Sequence, residues 1–294
     1  MQHFPPVKVV RVAEETAAAD FGRKANHSEA ELSHRELGLT TEQYRSVIQQ
    51  TQYEAWRSLR PIPGELVFHI GTEDCKVLAK AGQVGVLTKA YPTLYEDELQ
   101  LVEAKLQPLP NPPYFARLSR CSTKGGTGGV GPFYTARQIV TALVTSWRCV
   151  VAFETLQPVG LFMLPFQPHF DQDKEFRAFV SQRRVTAISQ YNEGEDCGWG
   201  KQTDADLCNL AHNVTLLLEG LLKQAATKEV ALPGAFTLDV FCHASQGFAV
   251  EFIELNSFGA QLAAGSCLFD WVKDYELLYG CSDTLEIRVI SDCH

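Results

Sequence analysis

The sequence is short of several features, and each absence removes a class of function. No apolar run reaches the roughly 18 residues of a membrane-spanning helix, so no membrane span is expected. There is no basic excess. Lys and Arg total 26 against 35 Asp and Glu, a net charge of -9, which weighs against a nonspecific nucleic-acid binder. The nine cysteines are odd in number and scattered, and no C-x-x-C pair occurs, which excludes a recognisable zinc site and argues against a disulfide framework. The opening MQHFPPVKVV has no apolar signal core. Free thiols and the missing signal core together point to a reducing, cytoplasmic setting. Neither G-x-G-x-x-G after a first strand nor G-x-x-x-x-G-K-[ST] is found, so the two commonest phosphate-binding signatures are missing. No internal repeat and no low-complexity tail are visible.

What remains is an ordinary globular composition, 45% hydrophobic and 21% charged, enough for a sizeable core in one lobed domain or two domains. Residues 13–38 are polar and alanine-rich and read as a helical arm or a poorly ordered lead-in. Thr40 with Gln43, Thr135 with Gln138 and Thr203 with Asp206 have the spacing of helix capping boxes. The stripe Ile139, Val140, Leu143, Val144 and Trp147 predicts one amphipathic helix, and Leu207 through Leu221 predicts another. Further helices are expected over Glu96–Leu106 and Leu268–Leu278. Short strand-like runs are LVFHI (66–70), VLAK (77–80), VGVLTK (84–89), YFARLS (114–119), VVAFE (150–154), VGLFML (159–164), EFRAFV (175–180), RVTAIS (184–189) and LEIRVIS (285–291). EFRAFV and RVTAIS should form an antiparallel hairpin. Strands and helices mix without a βαβα rhythm, which predicts α+β architecture with antiparallel sheets.

The most informative stretch is TLDVFCHASQGFAVEFIELNSFG, residues 237–259, two strands with acids inside apolar runs. With period two, Glu254 and Asn256 share a face, Val250 and Phe252 are expected on it too, and Glu251 points the other way. If Phe241 pairs with Phe248, Asp239 lies about 13 Å from Glu254. If Asp239 opposes Glu254, their Cβ atoms are about 5 Å apart. Carboxylates that close repel unless a cation or proton lies between them. Two carboxylates and an Asn oxygen form a hard donor set that suits Mg²⁺. The plain alternative is a solvent-facing strand surface. Cations that could meet phosphate are Arg117 in a strand, Lys124 at the start of the glycine-rich loop TKGGTGGVGPF, and Arg177 in EFRAFV. Their alternatives are a mobile surface loop and an ion pair between Arg177 and Glu175.

The order of these parts is that of an ATP-grasp nucleotide site, and three blocks sharpen it. YFARLSRCSTKGG, EFRAFVSQRRVTAISQYN and FTLDVFCHASQGFAVEFIELNSFGAQLAAGSCLFDW resemble blocks of the cell division cycle protein 123 family, an ATP-grasp branch. With YEAWRSL upstream, the resemblance spans roughly residues 50–272. It implies an α+β ATP-grasp fold of two lobes whose antiparallel sheets hold nucleotide between them. The expected divisions are an N-terminal extension (1–39), an N-terminal lobe (40–149) and a C-terminal lobe (150–294). The resemblance further implies ATP and Mg²⁺ as ligands. Arg117, Lys124, Gly125, Gly126 and Arg177 stand at the phosphates, Phe162-Met163-Leu164 at an adenine-facing hinge, and Asp239, Glu254 and Asn256 at the metal. The chain departs from the family pattern in its extra loop glycines and in Pro165-Phe166-Gln167 after the hinge.

The function implied is an assembly chaperone that binds the gamma subunit of eukaryotic translation initiation factor two. The alternatives are an active ATP-grasp ligase forming an acyl phosphate, a ligase joining RNA ends, and a module in which ATP merely orders a binding surface.

Overall fold

The computed structural model describes residues 4–24, 40–262 and 264–291, the last five of the first stretch by backbone alone. In chain order the elements are β1 (Val7–Ala13), α1 (Glu14–Lys24), α2 (Thr41–Thr51), α3 (Tyr53–Trp56), β2 (Leu66–Ile70), α4 (Thr72–Thr88), α5 (Glu96–Lys105), β3 (Tyr114–Leu118), α6 (Ala136–Thr145), α7 (Trp147–Glu154), β4 (Val159–Pro165), β5 (Glu175–Ser181), β6 (Arg184–Gln190), α8 (Asp204–Thr227), β7 (Ala235–His243), β8 (Ala249–Asn256), α9 (Tyr275–Leu278) and β9 (Leu285–Ser291). The chain divides into two units, one of residues 1–60 with 169–294 and the other of residues 61–168. The segment 150–168, expected with the second lobe, clusters with the smaller unit, because β4 is the middle strand of that unit's sheet.

The smaller unit is a three-stranded antiparallel sheet, β2-β4-β3, joined by one core to α4 to α7. Helix α4 overturns a sequence expectation, because VLAK and VGVLTK are not strands but one helix with Cys75, Leu78, Ala81, Gly82 and Gly85 on its buried side. VVAFE likewise lies in α7. Short apolar runs are ambiguous in period, and here close packing decides. A Cβ on Gly82 would come within 2.3 Å of Val150, and one on Gly85 within 2.5 Å of the Val144 carbonyl oxygen. The expected α6 stripe ends early, since Trp147 opens α7 and is 62% exposed.

The larger unit is a six-stranded sheet in the order β1-β9-β6-β5-β7-β8. Four strands pair antiparallel, but β9 runs parallel to both β6 and β1, so the sheet is mixed. The β5–β6 hairpin turns at Gln182 and Arg183, whose φ values of 53 and 63 suit a two-residue turn matched to strand twist. The amphipathic α8 packs on β1, β6 and β8. All three expected capping boxes form, at Thr40, Thr135 and Thr203. Residues 7–13 of the expected N-terminal extension are an edge strand and 14–24 a helix, while 25–39 lie outside the described residues. Only the end of the expected helix over 268–278 is helical. Upstream, Asp270 Oδ1 accepts from the Val272 and Lys273 amides at 2.9 and 3.0 Å, a local turn that competes with helix.

Candidate functional site

In the larger unit, Asp239 and Glu254 are register partners across β7 and β8. The close arrangement posed by the sequence is therefore the one formed. It depends on a β-bulge between Asp239 and Val240. Val240 pairs with Phe252, so Ile253 is an extra residue on β8. The bulge also corrects the expected parity. Phe252 falls on the face of Val240, opposite Glu254, whereas Glu251 pairs with Phe241 and so shares the face of Asp239 and Glu254. Arg60 holds the irregularity, with Nη1 donating to the Ile253 carbonyl at 3.4 Å and Nη2 to Glu251 Oε1 at 3.2 Å. On the same face, His243 Nε2 and His169 Nε2 lie 3.6 and 3.8 Å from Glu251 Oε2.

Asp239 is 1% exposed and Arg177, its register partner on β5, is 7% exposed. Arg177 donates from Nε to Oδ1 and from Nη2 to Oδ2, both at 2.8 Å, and from Nη1 to the Gly265 carbonyl at 3.0 Å. All three guanidinium nitrogens are thus engaged, with the Tyr191 ring 5.0 Å from the guanidinium carbon. Arg177 makes its ion pair with Asp239, where the sequence suggests Glu175. A Cβ on Gly265 would lie 2.9 Å from Arg177 Nη1, so glycine makes room for the guanidinium. Burial pushes the Asp239 carboxyl above its ordinary value, and the Arg177 charge pulls against it. Burial also opposes the Arg177 charge, but the Asp239 carboxylate outweighs it and holds the guanidinium well above its ordinary value. The Tyr191 hydroxyl is raised by burial and then by the Asp239 charge.

Asn256 Nδ2 bridges the two acids, donating to Asp239 Oδ2 at 2.8 Å and to Glu254 Oε1 at 3.1 Å. A donor between two carboxylates stands where a cation would be attracted. With its amide turned over, Asn256 would present oxygen to the same point. The residues therefore fit a hard cation that also takes water and phosphate oxygens. Among the described residues no group of three or more His, Cys, Asp or Glu could hold a metal ion, and the oxygens gathered here belong to two acids and one amide.

In the smaller unit, Arg117 is buried on β3 and its Nε donates to the Leu118 carbonyl at 3.4 Å. Lys124 is exposed at the head of the glycine-rich loop. That loop is a built structure, not a loose one. Thr123 Oγ1 donates to the Gly129 carbonyl at 2.7 Å, Ser146 Oγ to the Lys124 carbonyl at 3.0 Å, and Lys89 Nζ to the Gly125 carbonyl at 3.0 Å. The amides of Gly126, Gly129 and Gly131 donate within the loop, and that of Thr127 donates to Thr145 Oγ1 at 2.7 Å. Gly126 lies so close to α6 that a Cβ would meet the Ala142 carbonyl at 2.4 Å, while Gly125, at φ 82, is open around its Cα. Phe162, Met163 and Leu164 are buried on β4. Phe162 and Met163 pair with β2 on one side and β3 on the other, and Leu164 with β3, so much of this backbone is committed to the sheet.

Sequence reasoning put Glu254 and Asn256 on one face and left Asp239 opposite Glu254 in one of two registers, and that register is the one formed. It missed Glu251, Arg60 and Tyr191. The signal for Glu251 was present as two acids three residues apart on one strand, a spacing that shares a face only through a bulge.

No protein-family model matches the chain, and no curated protein matches it. Solved structures do. C-terminally truncated Cdc123 from Schizosaccharomyces pombe superposes with a TM-score of 0.57 at 18% identity, over 84% of this chain and 98% of that one. Cdc123 from the same organism gives 0.55 at 20% identity, over 86% and 99%. A RimK domain protein ATP-grasp from Sphaerobacter thermophilus covers 92% of this chain at 12% identity with a TM-score of 0.34, too loose an overlap to bear on function. The likeness to the two Cdc123 structures establishes the fold, a large mixed sheet and a second, antiparallel sheet.

Proposed function

We propose that this chain binds ATP with Mg²⁺ and acts as a cytoplasmic assembly chaperone in translation initiation, with the gamma subunit of eukaryotic translation initiation factor two as its partner. The observation that carries the ligand assignment is the register of Asp239 against Glu254 with Asn256 bridging them. Arg177 offsets the charge of Asp239, but Glu254 across from it still repels Asp239, and a bound cation would relieve that repulsion. The partner assignment is supported by the three sequence blocks and by the shared fold with Cdc123.

Mg²⁺ held by Asp239, Glu254 and Asn256 would neutralise phosphate charge. The protein's own groups divide the remaining tasks. Arg177 orients Asp239 and keeps it compatible with burial. In the smaller unit, the resemblance assigns Arg117, Lys124, Gly125 and Gly126 to phosphate. The resemblance assigns the backbone of the β4 segment Phe162–Leu164 to the adenine hinge.

The test is a thermal-shift titration of the full chain. Stabilisation that needs both ATP and Mg²⁺ is the expected result, and no shift with either would overturn the ligand assignment. Capture of the initiation factor's gamma subunit from the native host's extract supports the partner, and its absence from the bound fraction overturns it. Accumulation of ADP or AMP with a metabolite or RNA pool would move the assignment to a ligase.

A further inference from the structure

Two thiols that take no part in the proposed ligand site stand in contact inside the smaller unit. Cys121 Sγ and Cys149 Sγ are 4.0 Å apart, and no disulfide joins them. They are 28 residues apart in sequence and sit on different elements. Cys121 lies in the tight turn after β3, where its carbonyl accepts from the Leu118 amide at 2.7 Å. Cys149 is the third residue of α7, and its thiol is 3.6 Å from the Ser122 carbonyl. The pair is asymmetric in access, since Cys121 is 7% exposed and Cys149 fully buried. It is asymmetric in charge as well. The hydrogen bond from Cys149, then Arg148, Arg117 and Arg120, draw the Cys121 thiol below its ordinary value against the effect of burial. The Cys149 thiol is held well above its own, first by that same hydrogen bond and then by burial.

We infer that Cys121 and Cys149 form a peroxide-oxidisable pair, with Cys121 as the sulfur attacked and Cys149 as the resolving thiol. The physical requirements of such a pair are a more accessible thiol in a cationic setting and a second thiol within reach. Three arginines and a contact of 4.0 Å supply them. The Cys121 thiolate attacks one oxygen of hydrogen peroxide and the O–O bond breaks. Hydroxide leaves, takes up the thiol proton as water, and Cys121 becomes a sulfenic acid. The Cys149 sulfur then displaces the sulfenic hydroxyl, which leaves with the Cys149 proton as a second water. Two thiols lose two electrons, and peroxide is reduced to two waters. The S–S distance must close to about 2.05 Å, roughly half the present separation.

The bond would act on the glycine-rich loop. It would remove the Cys149 thiol from the Ser122 carbonyl and tie the start of α7 to the residue before Ser122. Lys124 is two positions further on, and its carbonyl is already held by Ser146 of the α6–α7 junction. The inference does not depend on ATP binding, because its readout is covalent.

The experiment treats reduced full-length protein with hydrogen peroxide near equimolar amounts, alkylates the remaining thiols and maps peptides by mass spectrometry. The expected product is a Cys121–Cys149 linked peptide, two mass units below the sum of the reduced peptides, formed ahead of oxidation at the exposed Cys281 and reversed by dithiothreitol. In Cys149→Ser the expected product is a dimedone adduct at Cys121, and in Cys121→Ser no adduct at Cys149. Complete alkylation of both residues after peroxide, in protein that keeps its native melting transition, would overturn the inference. So would a disulfide joining Cys121 or Cys149 to any other cysteine.

Discussion

Arg177 grips Asp239 with two parallel hydrogen bonds of 2.8 Å in a pair that is almost wholly buried. The grip changes how the proposed metal ligand must be tested. From sequence, Asp239→Asn would remove a metal ligand and spare the fold. From the structure it also strands a buried guanidinium, and breaking such a pair costs about 3–5 kcal/mol. Urea unfolding of Asp239→Asn should show that loss, and a midpoint equal to wild type would contradict the pairing.

Glu254 is the cleaner probe, since it is only partly buried. Glu254→Gln should keep stability within about 1 kcal/mol of wild type and weaken Mg²⁺-dependent ATP binding by about tenfold or more. Isothermal calorimetry with Mg²⁺ and then with chelator separates the two effects. Equal ATP affinity in the variant and wild type would remove Glu254 from the site.

Lys124 sits on a loop whose backbone is largely spent on itself, so its side chain is the loop's main means of meeting phosphate. Lys124→Ala should weaken ATP binding by about tenfold at low salt, with a smaller difference as salt screens the exposed charge. The melting temperature without ligand should stay close to wild type. Unchanged affinity at low salt would make the loop a structural element only.

Glu286 carries an acid-side prediction. Burial opposes its charge, but Lys8 Nζ at 2.8 Å and Arg288 Nε at 2.7 Å outweigh burial and hold the carboxyl below its ordinary value of 4.5. The folded chain therefore binds that proton less tightly than the unfolded chain. The resulting stability is complete above the ordinary value and is lost as pH falls through the lowered folded value. Glu286→Gln should flatten the fall in unfolding free energy between about pH 5 and about pH 3. Parallel acid limbs for the variant and wild type would refute it.

Two glycines in helices should respond to alanine with opposite signs. Gly220 on α8 is exposed with nothing near its would-be Cβ, so Gly220→Ala should stabilise by about 0.5–1 kcal/mol. Gly85 on α4 faces the Val144 carbonyl, so Gly85→Ala should destabilise by about 1–3 kcal/mol despite its better propensity. Thermal melts of the two variants check the signs.

The features legible in the sequence were those decided locally. The Thr40, Thr135 and Thr203 caps need only a residue three positions on, and the β5–β6 hairpin needs only its short turn. The opposition of Asp239 and Glu254 was legible as one of two registers. What decided between them was mainly the length of the loop Ala244–Phe248, which pairs His243 with Ala249, and the extra residue at Ile253 then completed the opposition. Helices α4 and α7 were misread for a different reason. Runs such as VGVLTK and VVAFE fit either period, and tertiary packing, with Gly82 close to Val150 and Gly85 close to Val144, selects helix. The partner of Arg177 was hidden because Asp239 lies 62 residues away in sequence.

The bulge at Asp239 and Val240 has a second consequence, concerning association between copies of the chain. β8 closes one edge of the six-stranded sheet and carries Val250, Phe252, Ile253 and Leu255. A straight apolar edge is a template on which another molecule's strand can add. The extra residue kinks this edge, Arg60 occupies the Ile253 carbonyl, and Glu251 and Glu254 add charge beside it. Deleting Ile253 should therefore do more than scatter the acids. It would straighten the border of the sheet and turn a guarded edge into a sticky one.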